Sequence, residues 1–121
     1  MVRTIGLENM MVGQDMNESE FNKLADATLT AIEQAIERCG AGIDYELQAG
    51  GVLELEFDDG SKMVINRHAV AQEIWVAARS GGFHFKAADG KWVGTRDGKE
   101  LMQALEELVS QQAGEAVRLR G

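Results

Sequence analysis

The stretch that decides the fold is residues 50–85, GGVLELEFDDGSKMVINRHAVAQEIWVAARSGGFHF. Residues 52–57 alternate apolar and acidic side chains, and this period of two is typical of a strand that is buried on one face only. The turn-forming segment DDGS at residues 58–61 then leads into a second strand at residues 63–65. Residues 74–77 and 83–85 predict two more strands, reached through a polar link and through the turn SGG at residues 80–82. Because no helical period runs through this stretch, it predicts an antiparallel meander.

Helical patterns flank the meander on both sides. Residues 17–39 repeat apolar side chains at three- and four-residue steps and carry acids on the opposite face, which predicts a helix with an acidic solvent stripe. Residues 43–48 and 91–96 predict two further strands, and residues 100–112 predict a second helix, followed by an alternating tail at 117–120 that extends along the helices. The predicted fold is therefore α+β, a two-layer sandwich with two terminal helices packed on one face of a six-stranded antiparallel sheet. The other sheet face is then open to water, which suits Glu54 and Glu56.

The length of 121 residues fits one domain. We expect residues 1–15 to be a flexible N-terminal extension and residues 16–121 to form the folded domain. The single cysteine cannot form an internal disulfide, and the sequence shows neither a membrane-spanning apolar run nor the pattern of a signal peptide. These features predict a cytoplasmic protein.

The charge is distributed unevenly along the chain. The net charge is −8, and residues 1–59 carry 13 acidic and 3 basic side chains, whereas residues 60–121 carry 7 acidic and 9 basic ones. A surface of this kind repels phosphate, so nucleic acid is excluded as a partner. A cation or a basic patch on another protein is the natural complement, although the charge can also serve solubility alone.

Several segments together carry a resemblance to a known family. They are NESEFNKLAD at 17–26, GGVLELEFDDGSKMVINR at 50–67, IW at 74–75, SGGFHF at 80–85 and QQAG at 111–114. In this combination the chain resembles the bacterial frataxins over about residues 16–120. The resemblance implies a frataxin-like domain that acts as an iron-binding regulator, or iron chaperone, of iron–sulfur cluster assembly. It also implies weak binding of Fe²⁺ or Fe³⁺ at the protein surface. An acidic ridge of this protein would then dock onto the cysteine desulfurase and the cluster-assembly scaffold.

The resemblance assigns roles to individual residues. The implied metal-binding residues are Glu18, Glu33, Glu37, Asp44 and Glu46. The implied partner-binding residues are Glu33, Glu37, Asn66, Gln72 and Trp75. The chain departs from the family pattern at Gln34 and Arg38, where many bacterial members have further acids, and at residues 40–42, where a short Gly-Ala-Gly segment replaces a longer acidic loop. The loop after Arg67 also lacks the proline that is familiar there.

The residues alone support a second interpretation for each of these sites. The acidic stripe is also what an ordinary solvated helix face would show. Trp75 is expected on the solvent side as a binding anchor, or lying flat over a neighbouring strand. Trp92 is interpreted as structural, Cys39 as a buried thiol, and His68 and His84 as surface residues rather than metal ligands.

The sequence contains no catalytic constellation, so we interpret the protein as a regulator and not an enzyme. Two other functions remain open. One is a ferroxidase that stores iron in an oligomer, and the other is a small acidic secretion chaperone that binds an extended segment of another protein. Because the sequence offers no helix built for dimerisation, it predicts a monomer.

Overall fold

A computed structural model of the protein describes residues 16–119, and the predicted N-terminal extension at residues 1–15 lies outside them. The described residues form two helices and six strands in the order α1 (Glu18–Arg38), β1 (Asp44–Gln48), β2 (Val52–Glu56), β3 (Lys62–His68), β4 (Glu73–Ala78), β5 (Gly81–Ala88), β6 (Lys91–Gly94) and α2 (Leu101–Ala113). The strands form a single antiparallel sheet in which every strand pairs with its neighbour in sequence. The predicted α+β architecture, with both helices on one face of a six-stranded meander, is confirmed.

Helix α1 begins and ends where its capping residues predict. The Asn17 side chain accepts a hydrogen bond from the Glu20 amide at 2.8 Å, and the Glu20 carboxylate accepts one from the Asn17 amide at 3.1 Å, which together form a capping box. The helix ends at Arg38, before Gly40 takes a φ of +72°. The buried face also includes Leu29, which is 1% exposed. The apolar face predicted from the sequence omitted it and consisted of Phe21, Leu24, Ala25, Thr28, Ile32, Ala35, Ile36 and Cys39.

All six strands differ somewhat in length from the sequence prediction, and β3 and β5 differ most. The second predicted strand, 63–65, runs from Lys62 to His68, and the predicted strand 83–85 runs from Gly81 to Ala88, so the predicted turn at 80–82 is largely strand. The reason is cross-strand pairing, which continues through polar and glycine residues that carry no apolar signal. Strand β6 is shorter than predicted because the chain turns after Gly94, whose carbonyl accepts a hydrogen bond from the Gly98 amide at 3.0 Å.

The core lies between the sheet and the two helices. Its fully buried larger side chains are Phe21, Leu29, Ile32, Leu53, Leu55, Met63, Ile65, Ile74, Val76, Leu101, Leu105 and Val109. Trp92 belongs to this layer, since it is 5% exposed, contacts Phe21 edge-to-face at 6.0 Å and donates to the Thr28 hydroxyl at 2.8 Å. Its predicted structural role is therefore confirmed. Cys39 is only partly buried and packs at the margin of the core.

Gly51 leaves room for an ion pair between the sheet and α1. Arg67 points to the helix side of β3 and pairs with Asp26. It passes so close to Gly51 that a Cβ there would lie 2.5 Å from the Arg67 Cγ, and Gly51 also has a φ of +78°. A larger residue at position 51 would therefore displace the arginine and strain the backbone.

The tail after α2 follows the alternation predicted for it. Val117 and Leu119 are buried at 5% and 6% exposure. The amide of Val117 donates to the Ser110 hydroxyl at 2.8 Å, and the amide of Leu119 donates to the Glu106 carboxylate at 2.9 Å. The tail therefore lies along α2. Neither helix in the part of the chain that the structure describes is long and apolar enough to cross a bilayer.

Candidate metal and partner-binding surface

The first group of candidate acids lies on the exposed side of α1. Glu33 and Glu37 are one helical turn apart and so project from the same face of the helix. The Tyr45 hydroxyl on β1 donates a hydrogen bond to the Glu37 carboxylate at 2.9 Å. That hydrogen bond, followed by partial burial of the phenol and the negative charges of Glu37 and Glu33, raises the pKa of Tyr45 above its ordinary value. The helix acids are thereby joined to the edge strand of the sheet.

The second group of acids lies on the opposite side of that edge strand. Asp44 and Glu46 flank Tyr45 in β1 and therefore point to the open face of the sheet, away from the helices. In the β1–β2 hairpin, Asp44 lies directly across from Glu56, and Glu46 directly across from Glu54. Such pairs have Cβ atoms about 4.5–5.5 Å apart, so four carboxylates share a small surface.

Glu54 and Glu56 are therefore candidate site residues that the sequence prediction did not include. Their strand and their solvent-facing side could be predicted from alternation, but the register of the hairpin that brings them opposite Asp44 and Glu46 could not. Lys62 partly offsets this charge, because its ammonium lies 3.7 Å from the Glu54 carboxylate. We refer to Glu33, Glu37, Asp44, Glu46, Glu54 and Glu56 together as the acidic edge.

Glu18, the remaining predicted metal ligand, is not part of this surface. It lies in the first turn of α1, 15 residues before Glu33, which corresponds to roughly 22 Å along the helix axis. Within residues 16–119, no three His, Cys, Asp or Glu side chains come together in the way that a coordinated metal ion requires. The acidic edge can therefore attract hard cations through carboxylate oxygens, but it is not arranged as an enclosed coordination sphere.

The open face carries an aromatic cluster at its centre. The Trp75 indole lies between two imidazoles, with ring centroids 3.9 Å from His68 and 4.5 Å from His84 and interplanar angles of 12° and 9°. The three residues come from β3, β4 and β5 and all point away from the helices, whereas Ile74 and Val76 on either side of Trp75 are buried in the core. Trp75 is thus half-buried on the solvent side, and it stacks on imidazole rings instead of lying flat over a strand.

A buried carboxylate completes this cluster. Glu73 has only 12% of its side chain exposed, and its Oε1 accepts a hydrogen bond from the Trp75 Nε1 at 2.7 Å. The same carboxylate lies 3.5 Å from the His84 Nδ1 and 3.7 Å from the Lys86 Nζ. The sequence prediction treated His68 and His84 as isolated and passed over Glu73, because only the register of three strands brings these side chains together.

The two polar residues predicted beside Trp75 differ in their positions. Asn66 lies directly across from Trp75 on β3, and its side-chain amide donates to the Arg67 carbonyl at 3.2 Å. Gln72 lies in the turn before β4, and its side-chain amide donates to the Met16 carbonyl. Asn66 therefore borders the aromatic cluster, whereas the amide of Gln72 ties the start of the described chain to the sheet.

Comparisons with known proteins agree on one family. A family profile described as "Frataxin-like domain" matches residues 14–115. The chain is 57% identical over 105 residues to the iron-sulfur cluster assembly protein CyaY of Dechloromonas aromatica (strain RCB), which covers 87% of this chain and 100% of that protein.

Two solved structures extend the comparison to the fold. The frataxin of Psychromonas ingrahamii, a member of the CyaY protein family, superposes with a TM-score of 0.80 at 38% identity, covering 88% of this chain and 100% of the other. The trimeric frataxin of Saccharomyces cerevisiae, crystallised in complex with ferrous iron, superposes with a TM-score of 0.61 at 30% identity, covering 84% and 90%.

Proposed function

Since the chain belongs to the frataxin family, we propose that it acts in iron–sulfur cluster assembly as an iron-binding regulator that docks on the cysteine desulfurase. The observation that carries this proposal is the acidic edge, whose carboxylates line one border of the sheet, from α1 on its helix side and from β1 and β2 on its open side. Such a border has two uses, because it concentrates cations and it complements a basic patch on another protein. In this proposal the protein binds and regulates, and it catalyses no step itself.

The iron-binding part rests on the opposed pairs of the β1–β2 hairpin. Asp44 and Glu56 repel one another across the hairpin, as do Glu46 and Glu54, and a cation held between two carboxylates relieves that repulsion. Iron is a hard cation that prefers oxygen ligands, and at an exposed site it keeps most of its water. We therefore expect weak binding with little discrimination between divalent cations.

The docking part uses two surfaces in succession. The acidic edge attracts the basic partner over a distance, and this attraction weakens as salt increases. Trp75 then makes the shape-specific contact at the centre of the open face, because half-buried tryptophans frequently dominate the binding energy of an interface. The partner of this face is the desulfurase together with the cluster-assembly scaffold.

The experiment that tests the proposal reverses the charge of two acids on the helix. We expect E33K/E37K to bind the cysteine desulfurase encoded in the same genome at least tenfold more weakly than the native protein does at low salt. The difference in affinity between variant and native protein should shrink as the salt concentration rises. The matched control is Q103K/Q111K/E115K, which changes the net charge by the same four units at exposed positions on and just beyond α2. If E33K/E37K binds as tightly as this control, and thermal unfolding shows that both are folded, the helix part of the acidic edge has no part in docking.

A second candidate function is supported by one observation. The yeast relative that was solved with ferrous iron is a trimer, which is the association that an iron-storing oligomer would need. Light scattering of this protein with and without Fe(II) under anaerobic conditions, and again in air, separates the two functions. Assembly that depends on iron, accompanied by oxygen consumption above the buffer background, would favour storage, whereas a monomer throughout supports the regulator.

A further inference from the structure

The aromatic cluster of the open face holds its tryptophan from three sides. His84 lies directly across from Trp75 on β5, and His68 lies on the neighbouring strand β3 one diagonal position away. Their imidazoles cover the two faces of the indole at centroid distances of 4.5 Å and 3.9 Å, and the near-parallel planes leave little room for the ring to rotate. The imidazole of His68 is itself fixed, because its Nδ1 accepts a hydrogen bond from the Ala71 amide at 3.3 Å.

The third contact is the hydrogen bond from the indole edge to Glu73. A carboxylate that is only 12% exposed is unfavourable in a folded protein unless it is hydrogen-bonded or paired. Here its bond goes to the Trp75 Nε1 at 2.7 Å, with the cationic groups of Lys86 and, when protonated, His84 within 4 Å. The contacts of Glu73 are therefore with the half-buried tryptophan and its neighbours on the open face, and not with the apolar core on the other side of the sheet.

We propose that Glu73, His68 and His84 are positioning residues that hold the Trp75 indole in its binding orientation before the partner arrives. This inference rests on the proposed function, in which Trp75 anchors the partner protein. A side chain that must be immobilised during binding lowers affinity by about twofold to tenfold, and a side chain that is already fixed avoids that loss. The arrangement is pre-organisation of a single anchor by two stacked rings and one buried hydrogen-bond acceptor.

The positioning can be read in the free protein, without any partner. The chain has two tryptophans, so its NMR spectrum contains two indole Nε1–H signals, and the Trp92 signal reports the core as an internal control. In E73A and in H68A/H84A we expect the Trp75 signal to shift and its hydrogen exchange to accelerate about tenfold or more, while the Trp92 signal stays in place. The variant K86A removes the ammonium 3.7 Å from Glu73 but keeps the carboxylate that accepts the indole hydrogen bond, so it should shift the Trp75 signal less than E73A does. A Trp75 signal that is unaffected in E73A would overturn the inference.

Binding to the cysteine desulfurase gives the second measurement. We expect E73A and H68A/H84A to bind about threefold to tenfold more weakly than the native protein, and W75A to bind about thirtyfold more weakly or worse. E73Q keeps an oxygen that accepts the indole hydrogen bond, and it should stay within twofold of the native affinity. If E73Q fails as badly as E73A, the charge of Glu73 matters and the hydrogen bond does not, which refutes the positioning role.

The two proposals fail in different ways. If W75A binds as tightly as the native protein, the docking role of the open face is wrong, and the indole signals still decide whether Glu73 and the two histidines hold the ring. If W75A weakens binding while E73A and H68A/H84A do not, docking through Trp75 stands and its pre-organisation is refuted.

Discussion

Removing the charge of the acidic edge on β1 should make the protein more stable. In the variant D44N/E46Q, amides of nearly the same shape replace two exposed carboxylates that lie directly across the hairpin from Glu56 and Glu54. Like charges in directly opposed positions of a sheet destabilise it by about 0.2–1 kcal/mol per pair. Because water reaches these side chains, we take the lower half of that range for each of the two pairs. The free energy of unfolding should then rise by about 0.4–1.2 kcal/mol at low salt.

This gain is large enough to measure by thermal unfolding. In a domain of about this size, 1 kcal/mol shifts Tm by about 4–8 °C, so Tm should rise by about 2–10 °C. The Debye length falls from roughly 20 Å in about 20 mM salt to roughly 4 Å in about 500 mM salt, so most of the gain should disappear at the higher concentration. Fe(II) should raise the Tm of the native protein and have less effect on the variant, because the variant lacks the paired carboxylates that a cation would bridge.

The control separates local repulsion from net charge. E115Q removes one acid from an exposed position in the tail, where no neighbouring strand places another acid opposite it. Twice the change in Tm of E115Q therefore measures what two units of net charge contribute. An equal Tm for native protein and D44N/E46Q at low salt, after this correction, would refute the repulsion across the hairpin. A gain that persists undiminished in high salt would show that its source is not electrostatic.

Three further predictions concern single residues. Hydrogen bonds from Ser61 lower the pKa of Asp59 to about 2, below the ordinary value of an aspartate. The stabilisation that Asp59 provides is therefore present above pH 4 and is lost as pH falls towards 2. Urea unfolding should show the native protein losing its advantage over D59N across that interval, and a constant difference would contradict this. Tyr45 is the only tyrosine, so an absorbance titration of tyrosinate reports it alone; E37Q should lower its pKa towards the ordinary value, and an unchanged titration would refute the hydrogen bond to Glu37. Leu29 is 1% exposed, so L29A should lower the free energy of unfolding by about 2–5 kcal/mol in urea, and a loss below about 1 kcal/mol would mean that the helix-to-sheet packing relaxes around it.

The sequence was sufficient for those parts of the fold that a periodic pattern encodes. The capping residues of α1 and the alternation of β2 predicted their elements almost to the residue, because local hydrogen bonds and one-sided burial determine both. Strands β3 and β5 were predicted too short, since Asn66 and Gly82 take part in pairing without any apolar side chain to indicate it. Leu29 was omitted from the predicted buried face because the helical period of 3.6 residues is not a whole number. Residues at the border of an apolar face can therefore be assigned to either side of it.

The candidate site was less predictable than the fold, for a different physical reason. The resemblance to frataxins indicated Glu33, Glu37 and Trp75, and alternation placed Glu54 on the open face. Which side chains then meet depends on register, and a shift of one residue between β1 and β2 would have sent the acids of β1 to the helix side. Register is set by the turns and by the packing of the whole sheet, neither of which a single segment reveals.

The open face differs from the helix-covered face in what its side chains contribute to stability. On the helix side, residues such as Ile65, Ile74 and Val76 are fully buried and supply the apolar contacts that hold the two layers together. On the open side, the hairpin aligns acids with acids, which opposes folding. Glu73 also keeps a carboxylate out of water, and the hydrogen bond from Trp75 and the nearby Lys86 compensate that cost. Unfavourable features of this kind persist where activity requires them. Their concentration on the face that lacks helices supports the proposal that this face, together with Glu33 and Glu37 of α1, takes part in binding the cation and the partner.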